Sequence, residues 1–440
     1  MEKQLNKNGW PFYVIVDGKG SVVFMKNGTI TDDADVDRIL SQIAPGKRAK
    51  TSAYRGTVYV DTVLKKNKTA KSVTESAPCL VKDREGGLFV SYVSDRRGRN
   101  GVFLRHLGDK NADERYISEG CADAYDAVMT VDMANNKWIA YTGLVGSAEG
   151  SKYDIFVRCL DNEGNLSDAE NLTLSDDDAM HPAVTVDSDG TLWVAYYRWL
   201  KMGFASRDKE IYARCYNGAR WLDEIRLSPD DLPAYEDHTD PVIATAADGG
   251  VTVAWSWDMH RTEIEKYARF QKDYHADAPT IFGRNLTMEG ADELLFLGEA
   301  GIDGAPALFL ESGGATWCAW NGLGNLRRGE TKGIYTSVSP PGECVRSEQY
   351  PVETGVRDIC TPRFFERRNV LGLVWASQDN RNRWVLKTST FESGDWTKPE
   401  VIEKKHNPRF PSVVKGDDGE LYLAFSRDGS SGREVVWRKM

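Results

Sequence analysis

The chain has 440 residues, of which 41% are hydrophobic and 10% are aromatic, so it can bury a large core and is unlike a disordered protein. Its 66 acidic residues against 56 Lys and Arg give a formal net charge of -10, which argues against a general nucleic-acid-binding surface. No apolar run approaches the roughly 20 residues that cross a bilayer. The sequence therefore predicts neither a nucleic-acid partner nor a membrane-spanning segment.

The spacing of the cysteines and of the acidic residues indicates whether the chain binds metal ions or forms disulfides. The seven cysteines are scattered and form no CxxC pair, so we expect buried free thiols and neither a disulfide framework nor a zinc ribbon. The acidic runs at 176–178 and 230–231 lack the ligand spacing of a calcium loop. The sequence thus predicts no metal and no cofactor. Residues 1–9 are too polar for a signal peptide, and the compartment is left open.

The first element in chain order is a short segment unlike the rest. Residues 9–28 (GWPFYVIVDGKGSVVFMKNG) predict two strands, and 31–43 predict a helix with one apolar face. The segment resembles the last two strands and final helix of a thioredoxin-like domain, with Pro11 where that family keeps a cis-proline. The part that would carry the redox CxxC is absent, so either the chain begins inside a larger gene product or the fragment is kept for packing. An extra propeller-type hairpin is the alternative.

Seven hairpin patterns follow, each with two runs of alternating apolar and polar residues around a tight turn that often contains Gly. The pattern at 181–197, HPAVTVDSDGTLWVAYY, is the clearest. The hairpins begin near Pro78, Asp126, Pro182, Pro241, Pro306, Pro362 and Pro411, at intervals of 48 to 65 residues. A third strand pattern follows each hairpin and usually a weaker fourth, which predicts propeller blades.

We therefore expect an all-β fold, a seven-bladed β-propeller with six or eight blades as fallbacks, preceded by a short α/β segment. The expected domains are 1–48 for the thioredoxin-like segment and 49–440 for the propeller. The last repeat ends at its third strand. Residues 56–64 and 70–76 are expected to supply the missing outer strand, because this would remove an open sheet edge.

Variants of the same motifs recur in the same order along the repeats: Pro, Asp-Gly, Trp-x-Ala-Tyr and Ile-Tyr-x-Arg. This order resembles the BNR, or sialidase-like, propeller superfamily across about residues 50–440. Residues 389–396 (STFESGDW) are similar to the Asp-box turn of that superfamily. The resemblance implies a propeller, and hydrolases, lyases and binding proteins all share that fold. The Arg-Ile-Pro motif of true sialidases is missing, with Tyr54-Arg55-Gly56 as the nearest candidate, which argues against sialidase activity.

One face of such a propeller should carry the function. In up-and-down blades, the long connections between second and third strands lie on the same face as the starts of the inner strands. These starts carry a mixed set of charged residues, among them Asp126, His181, Asp237, Asp240, Asp303, Asp358, Arg363 and Arg409. Because Arg binds planar anions through a fork of donors, the rim predicts an anionic carbohydrate bearing carboxylate or sulfate, with His181, Asp237, Asp240, Arg363 and Arg409 among its contacts.

A proton-transfer site is predicted at one hairpin. His238 precedes its first strand and His260 follows its second, so both imidazoles should emerge side by side on strands about 5 Å apart. The pattern resembles the DH...H of BNR-type polysaccharide lyases, in which His and Tyr transfer protons and Arg neutralises a uronate carboxylate. The resemblance implies His238 or His260 as base, Tyr197 or Tyr267 as acid, and Arg198 or Arg261 as carboxylate clamp.

Two alternatives remain open. Glycoside hydrolysis needs two carboxylates about 5 to 10 Å apart, and the rim offers several on different blades. A non-catalytic scaffold would instead dock a protein partner on the loop-rich face, through exposed aromatics such as Trp199 and Phe204.

Overall fold

The computed structural model describes residues 12–16, 22–27, 73–107, 114–147, 150–173, 175–202, 206–229, 237–258, 280–299, 306–322, 333–340, 348–356, 358–430 and 432–440. The chain divides into two compact units, Met1–Tyr59 and Val60–Met440. In the first, β1 (Phe12–Val16) and β2 (Val22–Asn27) pair antiparallel. The predicted helix at 31–43 lies outside the described residues, so the likeness to thioredoxin stays a prediction.

The described residues of the second unit form strands, turns and loops without a helix, which confirms the all-β prediction. They fall into seven strand groups in chain order. Group 1 contains β3 (Val73–Lys82), β4 (Leu88–Ser94), β5 (Gly101–Leu107) and β6 (Arg115–Tyr116). Group 2 contains β7 (Asp123–Val131), β8 (Lys137–Ser147), β9 (Gly150–Leu160) and β10 (Glu170–Asn171). Group 3 contains β11 (Asp178–Val186), β12 (Leu192–Met202), β13 (Ser206–Tyr216) and β14 (Ile225–Arg226).

The later groups follow the same plan. Group 4 contains β15 (Asp237–Thr245), β16 (Val251–Asp258), β17 (Thr280–Thr287), β18 (Gly290–Ala291) and β19 (Leu295–Glu299). Group 5 contains β20 (Ala307–Leu310), β21 (Thr316–Gly322), β22 (Gly333–Ser339) and β23 (Glu348–Thr354). Group 6 contains β24 (Ile359–Arg367), β25 (Val370–Gln378), β26 (Trp384–Glu392), β27 (Asp395–Trp396) and β28 (Glu400–Glu403). Group 7 contains β29 (Arg409–Lys415), β30 (Leu421–Gly429) and β31 (Gly432–Lys439).

The first strand of each group, its inner strand, contacts the inner strand of the next group. Within the described residues these contacts run through β3, β7, β11, β15, β20, β24 and β29 and return to β3. No helix in the described part of the chain is long and apolar enough to cross a membrane.

Groups 7 and 1 meet directly. The Leu80 N–H donates to Ser412 Oγ at 2.8 Å, and the Val435 N–H donates to Glu75 Oε2 at 3.0 Å. Val73 also pairs with Gly432 in parallel. Residues 73–76, predicted as part of an outer strand, are therefore the start of inner strand β3, whereas 56–64 lie outside the described residues.

We expect Ser412→Ala to lower the free energy of unfolding by about 1–3 kcal/mol, because it leaves the buried Leu80 N–H without an acceptor. Ser167→Ala is a matched control, since Ser167 Oγ accepts the Cys159 N–H at 2.9 Å on the surface, where water can replace it. Urea unfolding of both variants checks this. Equal losses would contradict a specific role for Ser412 between groups 1 and 7.

Six inner strands share one irregularity, a β-bulge. The first residue of each bulge has a left-handed backbone, with φ between 41° and 55°: Ala77, Asp126, His181, Asp240, Thr361 and Phe410. Such a conformation costs a non-glycine residue about 1–3 kcal/mol. The surrounding packing must offset that strain.

A large buried aromatic stands opposite every one of these bulges on the second strand of the group. The six are Tyr92, Tyr141, Tyr196, Trp255, Trp375 and Phe425, and each is fully buried. Burying about 150–250 Å² per ring stabilises by roughly 4–6 kcal/mol, which exceeds the strain of the bulge. The repeated aromatic of the second strand therefore holds the bulge in place.

Candidate functional site

Three successive bulge residues meet on the face where the inner strands begin. His181 Nε2 lies 3.6 Å from Asp126 Oδ2, and His181 Nδ1 lies 3.4 Å from Asp240 Oδ1. Their side chains are 42%, 33% and 36% exposed for His181, Asp126 and Asp240. One imidazole is thus flanked by two carboxylates from neighbouring groups, and all three are open to solvent.

Tyr197 on β12 lies against the imidazole of His181, with ring centroids 5.3 Å apart and planes inclined by 30°. Its hydroxyl donates to Met180 Sδ at 3.4 Å. Burial, followed by the charges of Asp126 and Asp240, raises the pKa of Tyr197 well above its usual value, so the phenol keeps its proton at any working pH. We call these four residues, Asp126, His181, Asp240 and Tyr197, the central cluster.

The buried hydroxyl of Thr142 on β8 ties two of these bulges together. It donates to Asp126 Oδ2 at 3.5 Å and accepts the backbone N–H of His181 at 3.2 Å. Groups 2 and 3 are therefore aligned by one side chain, which orients the Asp126 carboxylate relative to His181.

His238 lies two residues before the bulge residue Asp240 and is fully buried. The Trp255 Nε1–H donates to His238 Nδ1 at 3.0 Å, and the Trp257 ring centroid lies 4.8 Å from that of the imidazole. Burial, and secondarily the charge of Arg226, lowers the pKa of His238 to about 3. The imidazole is therefore neutral, and because Nδ1 accepts a hydrogen bond, its proton is assigned to Nε2.

The pH dependence of stability should report this buried imidazole. Below pH 6.5 the unfolded chain binds a proton that folded His238 excludes until about pH 3, so stability falls as the pH drops, by about 2 kcal/mol at pH 5. The matched variant is His238→Asn, whose Oδ1 can still accept from Trp255. Urea unfolding at pH 7 and pH 5 should show a smaller pH-dependent loss in the variant, and identical losses would contradict the assignment.

The register of group 4 pairs Asp237 with Asp258, so β16 ends beside the start of β15. His260, Arg261 and Tyr267 lie outside the described residues, and their predicted roles stay predictions. The same holds for a base role of His238, whose position in the core is described above.

Arg198, predicted to clamp a substrate carboxylate, faces carboxylates of the protein itself. Its Nη2 and Nη1 lie 2.7 and 2.6 Å from Asp177 Oδ2 and Glu224 Oε2, and its guanidinium lies 4.7 Å above the Tyr212 ring. Arg96 of group 1 is similarly paired with two carboxylates. Both arginines are thus neutralised by internal ion pairs.

The other predicted contacts are spread among the groups. Lys209 Nζ pairs with Asp237 Oδ2 at 3.0 Å and lies 5.5 Å from the Trp199 ring. Arg363 Nη1 donates to the Pro362 carbonyl at 3.0 Å on β24, and the guanidinium of Arg409 in group 7 lies 4.6 Å from the Trp384 ring in group 6. Of the predicted set, the structure brings together His181, Asp240 and Tyr197.

Two further outcomes concern ligands of other kinds. Among the described residues, no group of three or more His, Cys, Asp or Glu is arranged to hold a metal ion. Trp199 is partly buried and Phe204 lies outside the described residues, so the flat aromatic patch of a scaffold stays a prediction. The contact of His181 with its two carboxylates was not predicted, although all three residues occupy one repeat position, directly after the first residues of an inner strand.

No protein-family model matches the chain, and no curated protein matches it. Among solved structures it is similar to the polysaccharide lyase Uly1, with a TM-score of 0.51 and 10% identity over 88% of this chain and 94% of that one. The two chains share a fold. It is also similar to the Hadza microbial sialidase Hz136 (TM-score 0.49, 12% identity, 80% and 73% covered). A third similar structure is the Trypanosoma rangeli sialidase in complex with sialic acid, with a TM-score of 0.47 and 12% identity over 75% of this chain and 56% of that one. The likeness to Uly1 concerns the fold alone.

Proposed function

We propose that the protein is a carbohydrate-active enzyme that hydrolyses a glycosidic bond at the central cluster. The observation that carries this proposal is the exposed imidazole of His181 between the carboxylates of Asp126 and Asp240. Glycoside hydrolysis requires two carboxyl groups within reach of the substrate, and a histidine between them can exchange protons with both.

We also propose that the seven strand groups are the blades of a seven-bladed β-propeller spanning residues 49–440, preceded by a thioredoxin-like segment at 1–48. The cyclic order of inner-strand contacts supports seven blades. The contact of Leu80 with Ser412 supports closure between the first and last groups.

The reaction that we propose for this pair is an inverting one. Asp126 and Asp240 contact opposite nitrogens of one imidazole, which bounds the distance between their oxygens at about 9 Å and places a ring between the two carboxylates. Inverting enzymes hold their two carboxyl groups about 6.5–9.5 Å apart, which leaves room for the attacking water. One carboxyl group donates a proton to the leaving oxygen as the glycosidic bond breaks. The other takes a proton from the water whose oxygen bonds to the anomeric carbon.

His181 gives this pair a way to reset. After an inverting turnover the base holds a proton and the acid has lost one. The imidazole, within 3.6 Å of both, accepts a proton at one nitrogen and releases one from the other. Tyr197 keeps the plane of the ring fixed by stacking against it.

Charge favours an uncharged sugar at the central cluster. Two carboxylates of the cluster are exposed, whereas Arg198 and Arg96 are already neutralised by carboxylates of the protein. From the described residues alone, a uronate or sulfate group would therefore meet repulsion at this position.

Elimination on an anionic polysaccharide is the second candidate. The stacking of His181 on the protonated phenol of Tyr197 supports it, since a base and an acid would stand side by side. For elimination, Arg261 would neutralise the carboxylate of the substrate, and His238 or His260 would act as a base. The similar structure Uly1 is a polysaccharide lyase, and that activity comes to this chain only as a proposal.

A product assay separates the two reactions. Purified protein is incubated with neutral polysaccharides (a β-glucan, a galactomannan and a xylan) and with alginate and chondroitin sulfate. Hydrolysis predicts new reducing ends without ultraviolet absorbance from an unsaturated product, whereas elimination produces both. Ultraviolet absorbance from an anionic polymer would refute the proposed hydrolysis and support elimination. Absence of any product would overturn both and favour a binding role on the loop-rich face.

A further inference from the structure

A pair of tyrosines stands beside the central cluster in group 2. The rings of Tyr125 and Tyr153 have centroids 6.2 Å apart and planes inclined by 61°. The Tyr125 hydroxyl donates to Asp123 Oδ2 at 2.7 Å, and the Tyr153 N–H donates to Asp178 Oδ1 at 2.9 Å. Both rings are partly exposed. They form an aromatic corner in which Asp123 holds the Tyr125 ring by its hydroxyl and Asp178 holds the backbone of Tyr153.

The chain places this corner next to the proposed reaction centre. Tyr125 directly precedes Asp126 on β7, so their Cα atoms are about 3.8 Å apart. Asp178, which holds Tyr153, begins β11, the strand that carries His181. The corner and the cluster therefore lie on one face, at the start of two neighbouring inner strands.

The chemistry of the corner suits an uncharged sugar ring. A pyranose has apolar C–H faces and a rim of hydroxyls, which match aromatic faces bordered by hydrogen-bond acceptors. Asp123 and Asp178 supply those acceptors. The two carboxylates add negative charge beside the rings. Burial, followed by the hydrogen bond to Asp123, raises the pKa of Tyr125 to about 12, and burial, followed by the charges of Asp123 and Asp178, raises the pKa of Tyr153, so both phenols are uncharged at neutral pH.

We propose that Tyr125 and Tyr153 form a subsite for an uncharged pyranose unit of a polysaccharide, adjacent to the bond that the central cluster cleaves. This inference rests on the proposed function for its position in the reaction, and it adds a substrate class. Polymers of neutral sugars should bind here, and uronate-rich or sulfated polymers should not.

The test is affinity electrophoresis of the full chain in gels that contain the β-glucan, the galactomannan, the xylan, alginate or chondroitin sulfate. The His181→Asn background prevents digestion of the gel. At least one neutral polymer should retard migration, and Tyr125→Ala should weaken that binding by about 3- to 10-fold. Tyr125→Phe, which keeps the ring, should bind more tightly than Tyr125→Ala.

A matched control lies at the other end of the strands. Tyr422 pairs with Trp437 at 6.4 Å between ring centroids and donates to Asp418 Oδ2 at 3.0 Å, so Tyr422→Ala removes a similar aromatic contact away from the site. It should leave retardation unchanged. Retardation only by anionic polymers, none by the three neutral polymers, or equal binding by Tyr125→Ala and its parent overturns the subsite. Binding without turnover by the wild-type chain would keep the subsite and refute the hydrolase.

Discussion

His181→Asn is expected to lower turnover of a neutral polysaccharide by about 10- to 100-fold while leaving the fold intact, because the proton transfer that resets Asp126 and Asp240 becomes slow. Asparagine tolerates the left-handed backbone that position 181 adopts, with φ of 55°, so the bulge should persist. The asparagine side chain has no titratable nitrogen, so it cannot carry a proton between Asp126 and Asp240. The measurement is initial rates of reducing-end release, with circular dichroism and urea unfolding to check the fold.

His106→Asn is the matched control for His181→Asn. His106 stacks on Phe89 with ring centroids 4.6 Å apart on β5 and belongs to no bulge. The His106→Asn variant should keep turnover within about twofold of wild type. A substitution at the surface changes the free energy of unfolding by only about 0.5 kcal/mol, so the enzyme stays folded. A His181→Asn enzyme with wild-type rates, or an equal loss in His106→Asn, would refute the role of the central cluster.

The repeated hairpins were predictable because two short-range signals coincide in them, alternating apolar residues and turn residues at the reversal. At 181–197, for example, Asp187 both ends the inner strand and accepts the N–H groups of Asp189 and Thr191 at 3.0 and 2.8 Å. Turn and strand are therefore encoded within a few residues of each other. The inner-strand starts, and hence the face that carries His181 and Asp240, follow from the alternating direction of the strands.

The order of the hairpins alone does not predict the pairing of side chains between groups, since that pairing depends on the bulge. The bulge residue of group 4 is Asp240, and His238, two residues earlier, packs against Trp255 and Trp257 in the core. His181 is itself the bulge residue of group 3 and is exposed. Two histidines near the same proline position thus have opposite environments. Aligning the residue before each proline would have matched His181 with Asp240.

The ion pairs of Arg198 are a second case that sequence alone could not settle. Asp177 lies 21 residues before Arg198, and Glu224 lies 26 residues after it. The loops and the starts of the inner strands predict a mixed rim of Arg, His and carboxylate, but only the packing of β12 against its neighbours decides that this guanidinium is satisfied internally. The preference for an uncharged sugar follows from that packing and from the exposed carboxylates.

The largest expected effect on stability is that of Trp255→Ala, which should lower the free energy of unfolding by about 3–5 kcal/mol. Trp255 is fully buried and stands opposite the bulge of Asp240. Removing the indole leaves a cavity beside a strained backbone and deprives His238 Nδ1 of its donor. Trp255→Phe keeps most of the packing and loses the N–H, so it should cost less, about 1–3 kcal/mol.

Loss of the Trp255 indole should also change the geometry of the central cluster. When the support opposite the Asp240 bulge is lost, the 3.4 Å contact between Asp240 and His181 should loosen, so Trp255→Phe should lose turnover even under conditions where it is fully folded. Trp138→Ala is the control, since Trp138 is only partly buried and bonds a turn carboxylate at the opposite end of its strand. It should destabilise the chain without that loss of turnover. Urea unfolding and rates at matched folded fractions distinguish the two, and a Trp255→Phe variant with full activity would show that the bulge holds the carboxylate without its aromatic partner.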